Sequence, residues 1–304
     1  MERKGPYMNV VLNFHKGDQF SAKALLELLM VVDEGIDCNY YVQYGDDLAT
    51  LQVWEVLDEF LGRKHAHFST EFPEIRIPQG MMDGDPNLLD YEGNHTKRSK
   101  AQKQKHLAWN LCVFKHILLL DSFLMIEPDS VVLKHGWLND IHTEWQGYSG
   151  PIMGHLKRGK IRNAYVPTHW AGCSLYDCTQ LRALPLRECF SRRYPNPWWK
   201  YRNEPGTVLA NNCFWGPMFS GYDISYDYFL FGLYWKETTG YNDPDRWPLG
   251  QIDNKQELIY CDFNSRLRAD EIFKRFAGKL PLMHGIKSDE IRKKMLRHFS
   301  SGQL

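Results

Sequence analysis

The chain has 304 residues, 43% of them hydrophobic and 24% charged, and its 37 Lys and Arg balance 37 Asp and Glu. Zero net charge excludes a whole-molecule field that would draw it to nucleic acid or an anionic membrane, though not a local patch. Seven cysteines without a C-x-x-C pair argue for reduced thiols, not a zinc held by cysteine. No apolar run approaches the roughly 20 residues that span a bilayer, and the first residues lack the apolar core of a signal peptide. A soluble, cytoplasmic protein is expected.

Val10 to His15 reads as a first buried strand, broken by Lys16-Gly17-Asp18. Apolar residues recur at helical spacing from Phe20 to Val32, with Ser21 as the cap candidate. Asn39 to Tyr44 reads as a second strand ending at Gly45-Asp46-Asp47, and Leu51 to Leu61 as a second helix. This β-α-β-α opening predicts a parallel sheet with helices on its faces. Ligands of such sheets collect outside the carboxyl ends of the strands. His15, Lys16, Asp18, Asp46 and Asp47 therefore become candidates for ligand contact, weighed against ordinary loop polarity.

Residues 80–98, rich in Gly, Asp, Asn and Pro, read as a long loop. Ala101 to Leu120 predicts a helix leading into Phe123-Leu-Met-Ile-Glu-Pro-Asp-Ser-Val-Val-Leu133. The apolar run there predicts a buried strand that delivers Glu127 and Asp129 at its end. Charges at such a place need partners, because their desolvation is costly. Side chains two apart on a strand point the same way, so both carboxylates can face one cation, and Pro128 stiffens the turn.

Gly136 to Trp145 reads as a short helix, Gly147 to Gly154 as a strand and Tyr165 to Asp177 as another. The segment from Pro195 to Pro205 holds Trp198 and Trp199, a sugar-stacking platform if exposed and an anchor if buried. Ser220 to Leu230 opens an aromatic helix, with Asp223 or Ser225 as its cap candidate. Late in the chain, Leu280-Pro-Leu-Met-His-Gly-Ile-Lys-Ser-Asp289 brings His284 and Lys287 to the end of another apolar run. An acidic pair with a late histidine and a late lysine suggests a divalent metal holding a diphosphate.

These residues resemble the motifs of GT-A fold glycosyltransferases. Glu127-Pro-Asp129 resembles their D-x-D element with glutamate first, and Gly136-Trp137-Leu138 resembles the sequence that often trails it. His169-Trp-Ala-Gly-Cys-Ser-Leu-Tyr176 is similar to the acceptor-side loop, and His284-Gly285-Ile286-Lys287 to the C-terminal H-G-x-K element. The resemblance covers nearly the whole chain in the right order. It implies an α/β protein with one GT-A-like domain, its mixed, mostly parallel central sheet flanked by helices. Residues 7–135 would serve the nucleotide-sugar, and residues 136–304 the acceptor and the C-terminal metal and phosphate element.

The resemblance also implies Mn²⁺ or Mg²⁺ and a UDP- or GDP-linked sugar donor. Asp129 and His284 would ligate the metal, and an imidazole favours Mn²⁺. Glu127 would touch the metal directly, act through water, or hold the ribose. Lys287 would meet the leaving phosphates, and His15, Lys16 and Asp47 would lie near the nucleotide. Lys105 and Asn110, on the helix before the metal strand, would face the sugar-phosphate. His169, Trp170, Gly172, Trp198 and Trp199 would bind the acceptor. Asp227, or failing that Asp223, would be the general base of an inverting enzyme; a retaining enzyme needs none.

The default acceptor is a glycan, a lipid-linked sugar or a small molecule. A hydroxymethylated DNA base is the less common option, suggested by two basic clusters. One is Lys97, Arg98, Lys100, Lys103 and Lys105; the other is Lys157, Arg158, Lys160 and Arg162. Arg192 and Arg193 also precede Trp198 and Trp199. Charge runs are more often solvated faces. Two other classes compete. A nucleotidyltransferase making nucleotide-sugars normally carries a Gly-rich loop after the first strand, where His15-Lys-Gly-Asp18 has one glycine. A non-catalytic sugar- or nucleic-acid-binding module would not need the carboxylate, histidine and lysine set.

Overall fold

Alternate residues of the first strand, β1 (Tyr7–Phe14), face opposite sides of a sheet, and both sides are buried apart from half-buried Tyr7. Such double-sided burial marks a central strand of a parallel sheet. A computed structural model of the chain describes residues 7–71, 112–113, 115–148, 152–161, 164–182, 258–261 and 267–301; for 156–161 and 164–171 it describes the backbone. The predicted loop at 80–98, the first part of the predicted helix 101–120, and the segments 195–205 and 220–230 lie outside the described residues. Residues 112–113 and 115–119 are helical.

The elements after β1 are α1 (Gln19–Val31), β2 (Asp37–Tyr44), α2 (Trp54–Arg63), β3 (Ala66–Ser69), β4 (Ser122–Ile126), β5 (Val131–Val132) and α3 (Trp137–Gln146). They continue with β6 (Ile152–Ile161), β7 (Ala164–Asp177), α4 (Cys178–Arg182), β8 (Ile259–Cys261), α5 (Ala269–Phe276), β9 (Leu282–His284) and α6 (Glu290–Ser300). A six-stranded sheet has the order β3-β2-β1-β4-β7-β6, and a three-stranded sheet the order β5-β9-β8. In the large sheet β3, β2, β1 and β4 are parallel, while β7 and then β6 join antiparallel. The architecture is α/β, with a mixed, mostly parallel central sheet and flanking helices.

Met8, Val10, Leu12 and Phe14 of β1 join Leu25, Leu26, Leu28 and Leu29 of α1 and Tyr40, Val42 and Tyr44 of β2 in one core. Each fully buried side chain of this size contributes about 1.5–3 kcal/mol from removal of apolar surface. α1 packs on both α2 and α6, which carries the C-terminal chain back onto the first helix. The opposite sheet face is aromatic: buried His116 packs on Tyr41 and Phe123, and Phe123 stacks on Tyr176.

Several boundaries differ from the sequence reading; β1 and β2 begin earlier, at Tyr7 and Asp37, and β1 ends at Phe14. Ser21 lies inside α1, whose N-cap position is Asp18; the Asp18 carboxylate accepts from the His15 N–H, closing the preceding turn, and does not cap the helix. The second helix begins at Trp54, not Leu51, after a short 3₁₀ turn at Leu48–Thr50. Just before it, the Gln52 N–H donates to Gln19 Oε1 at 2.7 Å. The strand expected at 147–154 begins at Ile152, since α3 runs on to Gln146.

From β1 the chain turns to β2 on one side, and from β3 it returns to β4 on the other. The sheet order therefore reverses between β1 and β4. A crevice outside the carboxyl ends of the strands forms at such a point and is where open α/β sheets bind ligands. Glu127 is the first residue beyond β4 there.

Candidate functional site

β4 delivers its last buried apolar side chain at Ile126, and the chain then turns back. The Ser130 N–H donates to the Glu127 carbonyl at 2.9 Å, closing a four-residue turn with Pro128 in its second position, a place its fixed φ suits. Glu127 and Asp129 thus converge from a turn, not from one face of a continuing strand as the sequence spacing suggests. The next residues form β5, which pairs antiparallel with β9, Val131 opposite Met283 and Val132 opposite Leu282. Carried on one residue, that register sets Ser130 beside His284.

Gly285 follows with φ +86°, a left-handed conformation that side-chain-bearing residues rarely adopt. This bend lets the Ile286 N–H donate to the Asp129 carbonyl at 2.9 Å. His284 Nε2 lies 2.5 Å from Glu127 Oε2 and 3.0 Å from Asp129 Oδ1. Lys287 Nζ pairs with Asp129 Oδ2, and with 73% of its side chain exposed it reaches in from solvent. One ligand atom from each of Glu127, Asp129 and His284 lies within 4.8 Å of the others.

Burial works to raise the Asp129 carboxyl, but the facing His284 and Lys287 cations outweigh it and hold it below the usual carboxylate range. Burial likewise opposes charge on His284, yet the anionic groups around it raise its pKa well above the ordinary value. The Asp129 and Glu127 carboxylates account for that rise, since burial pushes the Cys173 thiol up to about 12 and keeps it neutral.

The donor set suits a divalent metal. Asp129 Oδ1 is buried, and among the described residues it accepts no aligned hydrogen bond despite its approach to His284. A buried carboxylate oxygen left without a donor is costly, and a cation would satisfy it. Two carboxylates and an imidazole fit Mn²⁺ or Mg²⁺, the imidazole favouring Mn²⁺.

Arg292 holds these loops together and escapes a motif-based reading. It is fully buried in α6. Its Nη1 donates to the Ser130 carbonyl at 3.1 Å and to the Ile286 carbonyl at 3.2 Å, and its guanidinium pairs with Asp289 Oδ1. One cation thus ties the Glu127 turn to the His284 loop. A signal was present: Arg292 falls in the apolar stripe of Ile291, Met295 and Phe299, where an arginine needs buried acceptors.

Glu127, Asp129, His284 and Lys287 come together as the sequence reading expects. Gly172 joins them, facing the Glu127 carboxylate. His15, Lys16 and Asp47 stand at the carboxyl ends of β1 and β2. His15 Nε2 lies 3.2 Å from Asp18 Oδ2, the Lys16 N–H donates to Asp46 Oδ2, and Asp47 Oδ1 caps the 3₁₀ turn. His169 and Trp170 lie on β7, where the backbone alone is described. Lys105, Asn110, Trp198, Trp199, Asp223 and Asp227 fall outside the described residues, as do the side chains of both basic clusters. Among the described residues no helix is long and apolar enough to cross a membrane.

No protein-family model matches the chain, and no curated protein matches it. Solved structures do. Mouse xyloside xylosyltransferase 1 in its apo form is 12% identical with a TM-score of 0.49, over 92% of this chain and 97% of that one. The galactosyltransferase LgtC in complex with donor and acceptor sugar analogs is 11% identical with a TM-score of 0.43, over 95% of each chain. The apo bifunctional glycosyltransferase WbbM is 10% identical with a TM-score of 0.43, over 97% of this chain; the match spans 50% of WbbM.

Proposed function

We propose that the chain is a metal-dependent glycosyltransferase of the GT-A type, moving a hexose or pentose from a UDP- or GDP-linked donor to an acceptor hydroxyl. The observation that carries this reading is the convergence of Glu127, Asp129 and His284 at the sheet's switch point, with Lys287 beside them. In this reading Asp129 and His284 hold the divalent cation, with Glu127 as third ligand or ribose contact. When bound, that cation supplies neutralisation of the charge that builds on the departing diphosphate. Lys287 brings its ammonium to the leaving phosphate oxygens. Half-buried Asp129 with buried His284 and Arg292 keeps the geometry fixed, so the site does not reorganise as charge develops.

Residues 7–135 then serve the nucleotide-sugar, with His15, Lys16, Asp47, Lys105 and Asn110 on the donor side. Residues 136–304 serve the acceptor through His169, Trp170, Trp198 and Trp199. An inverting reaction assigns Asp227, or failing that Asp223, to take the acceptor's proton opposite the leaving group. A glycan or small molecule is the acceptor class; the DNA option rests on the sequence pattern alone.

The loop after β1 disfavours the nucleotidyltransferase reading. Its N–H groups are engaged, His15 with Asp18, Gly17 with His15 Nδ1 and Lys16 with Asp46 of the loop after β2, and so do not point together into a phosphate cradle. Thermal melting with a panel of nucleotide-sugars tests the proposal. A true donor raises the melting temperature with Mn²⁺ and not with EDTA, because binding to the native state alone stabilises it. A panel of UDP- and GDP-sugars without any Mn²⁺-dependent shift would contradict it.

A further inference from the structure

β4 and β7 pair antiparallel with Met125 opposite Ser174, and continuing that register by two residues sets Gly172 opposite Glu127. A Cβ at position 172 would lie 2.3 Å from Glu127 Cδ and 2.4 and 2.5 Å from its two carboxylate oxygens. Its three nearest neighbours all belong to one carboxylate. Gly172 is not among the glycines with left-handed φ, so backbone freedom does not explain it. One residue on, Cys173 Sγ sits 2.9 Å from Ser130 Oγ, and that hydroxyl accepts from the Glu127 N–H. The Ser130 and Cys173 side chains therefore tie the turn to β7, and a Cβ at position 172 would press on the Glu127 carboxylate, not on backbone.

We propose that Gly172 is a positioning residue for the metal site: its missing side chain seats the Glu127 carboxylate over β7, beside His284 Nε2. The proposal rests on the metal-dependent reading above and adds that Glu127 is committed to the cluster by the shape of its neighbour strand. Gly172→Ala would displace the far end of a flexible side chain, not the backbone. The fold should survive while the third arm of the cluster is lost.

The test is Mn²⁺ affinity, read by electron paramagnetic resonance of the unbound ion, in wild type, Gly172→Ala, Glu127→Ala and the double variant. Positioning partners of metal ligands typically carry 10- to 100-fold in affinity, so Gly172→Ala should weaken binding about tenfold or more. The double variant should bind as Glu127→Ala does, because no carboxylate remains to displace. Unchanged affinity in Gly172→Ala, or an equal loss in both backgrounds, would overturn the proposal. If wild type does not bind Mn²⁺, the metal reading fails, and urea unfolding of the same four metal-free proteins decides the Gly172 contact separately. Midpoint shifts that are not additive support it, and additive shifts overturn it.

Discussion

His116 shows what a single residue contributes. It is buried between Tyr41 and Phe123, with its ring nitrogen on the Cys112 carbonyl, and burial lowers its pKa to about 4. The unfolded chain takes up this proton near the ordinary value of about 6.5. Between these two values the unfolded state holds more protons, so stability is full above about pH 6.5 and falls as pH drops toward 4. The loss approaches about 3 kcal/mol at the acid end. Replacing His116 with Phe should flatten that part of the urea stability profile. An unchanged slope between pH 6.5 and 4 would mean that another group titrates there.

Single residues are also the scale at which the sequence is most legible. Glu127, Asp129, His284 and Lys287 stand out in the sequence because charged side chains end apolar runs, and that pattern needs no knowledge of distant contacts. Gly172 was visible as a residue but not as a neighbour of Glu127, since their proximity depends on how β7 registers on β4.

At the level of elements, apolar runs mark most of β1 and β2 and helical spacing marks α1, because both patterns follow from which faces are buried. Boundaries needed long-range partners. Gln19 anchors the segment ahead of α2 through Gln52, 33 residues away, and no local window contains that bond. The pairing of β5 with β9 likewise joins segments over 140 residues apart in sequence.

Arg292 gives this scale its sharpest prediction. Replacing it with Met keeps much of the volume but leaves the Ser130 and Ile286 carbonyls without this donor and deprives Asp289 of its cation. Asp289 is partly exposed and solvent takes up its charge, whereas each buried carbonyl left unsatisfied costs about 1–3 kcal/mol. Urea unfolding of Arg292→Met should show a loss of that order, together with weaker Mn²⁺ binding as the two loops separate. A loss within about 0.5 kcal/mol, the size typical of surface substitutions, would show that Arg292 does not clamp the site.

For the whole molecule, topology explains why residues 127, 129, 284 and 287 meet. The sheet reverses its order between β1 and β4, and α6 returns to pack on α1. That return brings the C-terminal loop to the crevice which the N-terminal half opens. The β-α-β-α opening made the parallel half of the sheet legible. The antiparallel attachment of β7 and β6 was not, because their sequences alternate or run apolar equally well in either direction.

In the proposed reaction this crevice uses a cation to separate a sugar from a nucleoside diphosphate. Its most direct test is release of nucleoside diphosphate from a UDP- or GDP-sugar, measured with Mn²⁺, with EDTA, and with Asp129→Ala. The reading predicts Mn²⁺-dependent release by wild type, none with EDTA, and a loss of at least about a hundredfold in Asp129→Ala, in the range seen when a charge-stabilising group is removed. Release that continues undiminished in EDTA and in Asp129→Ala would contradict it.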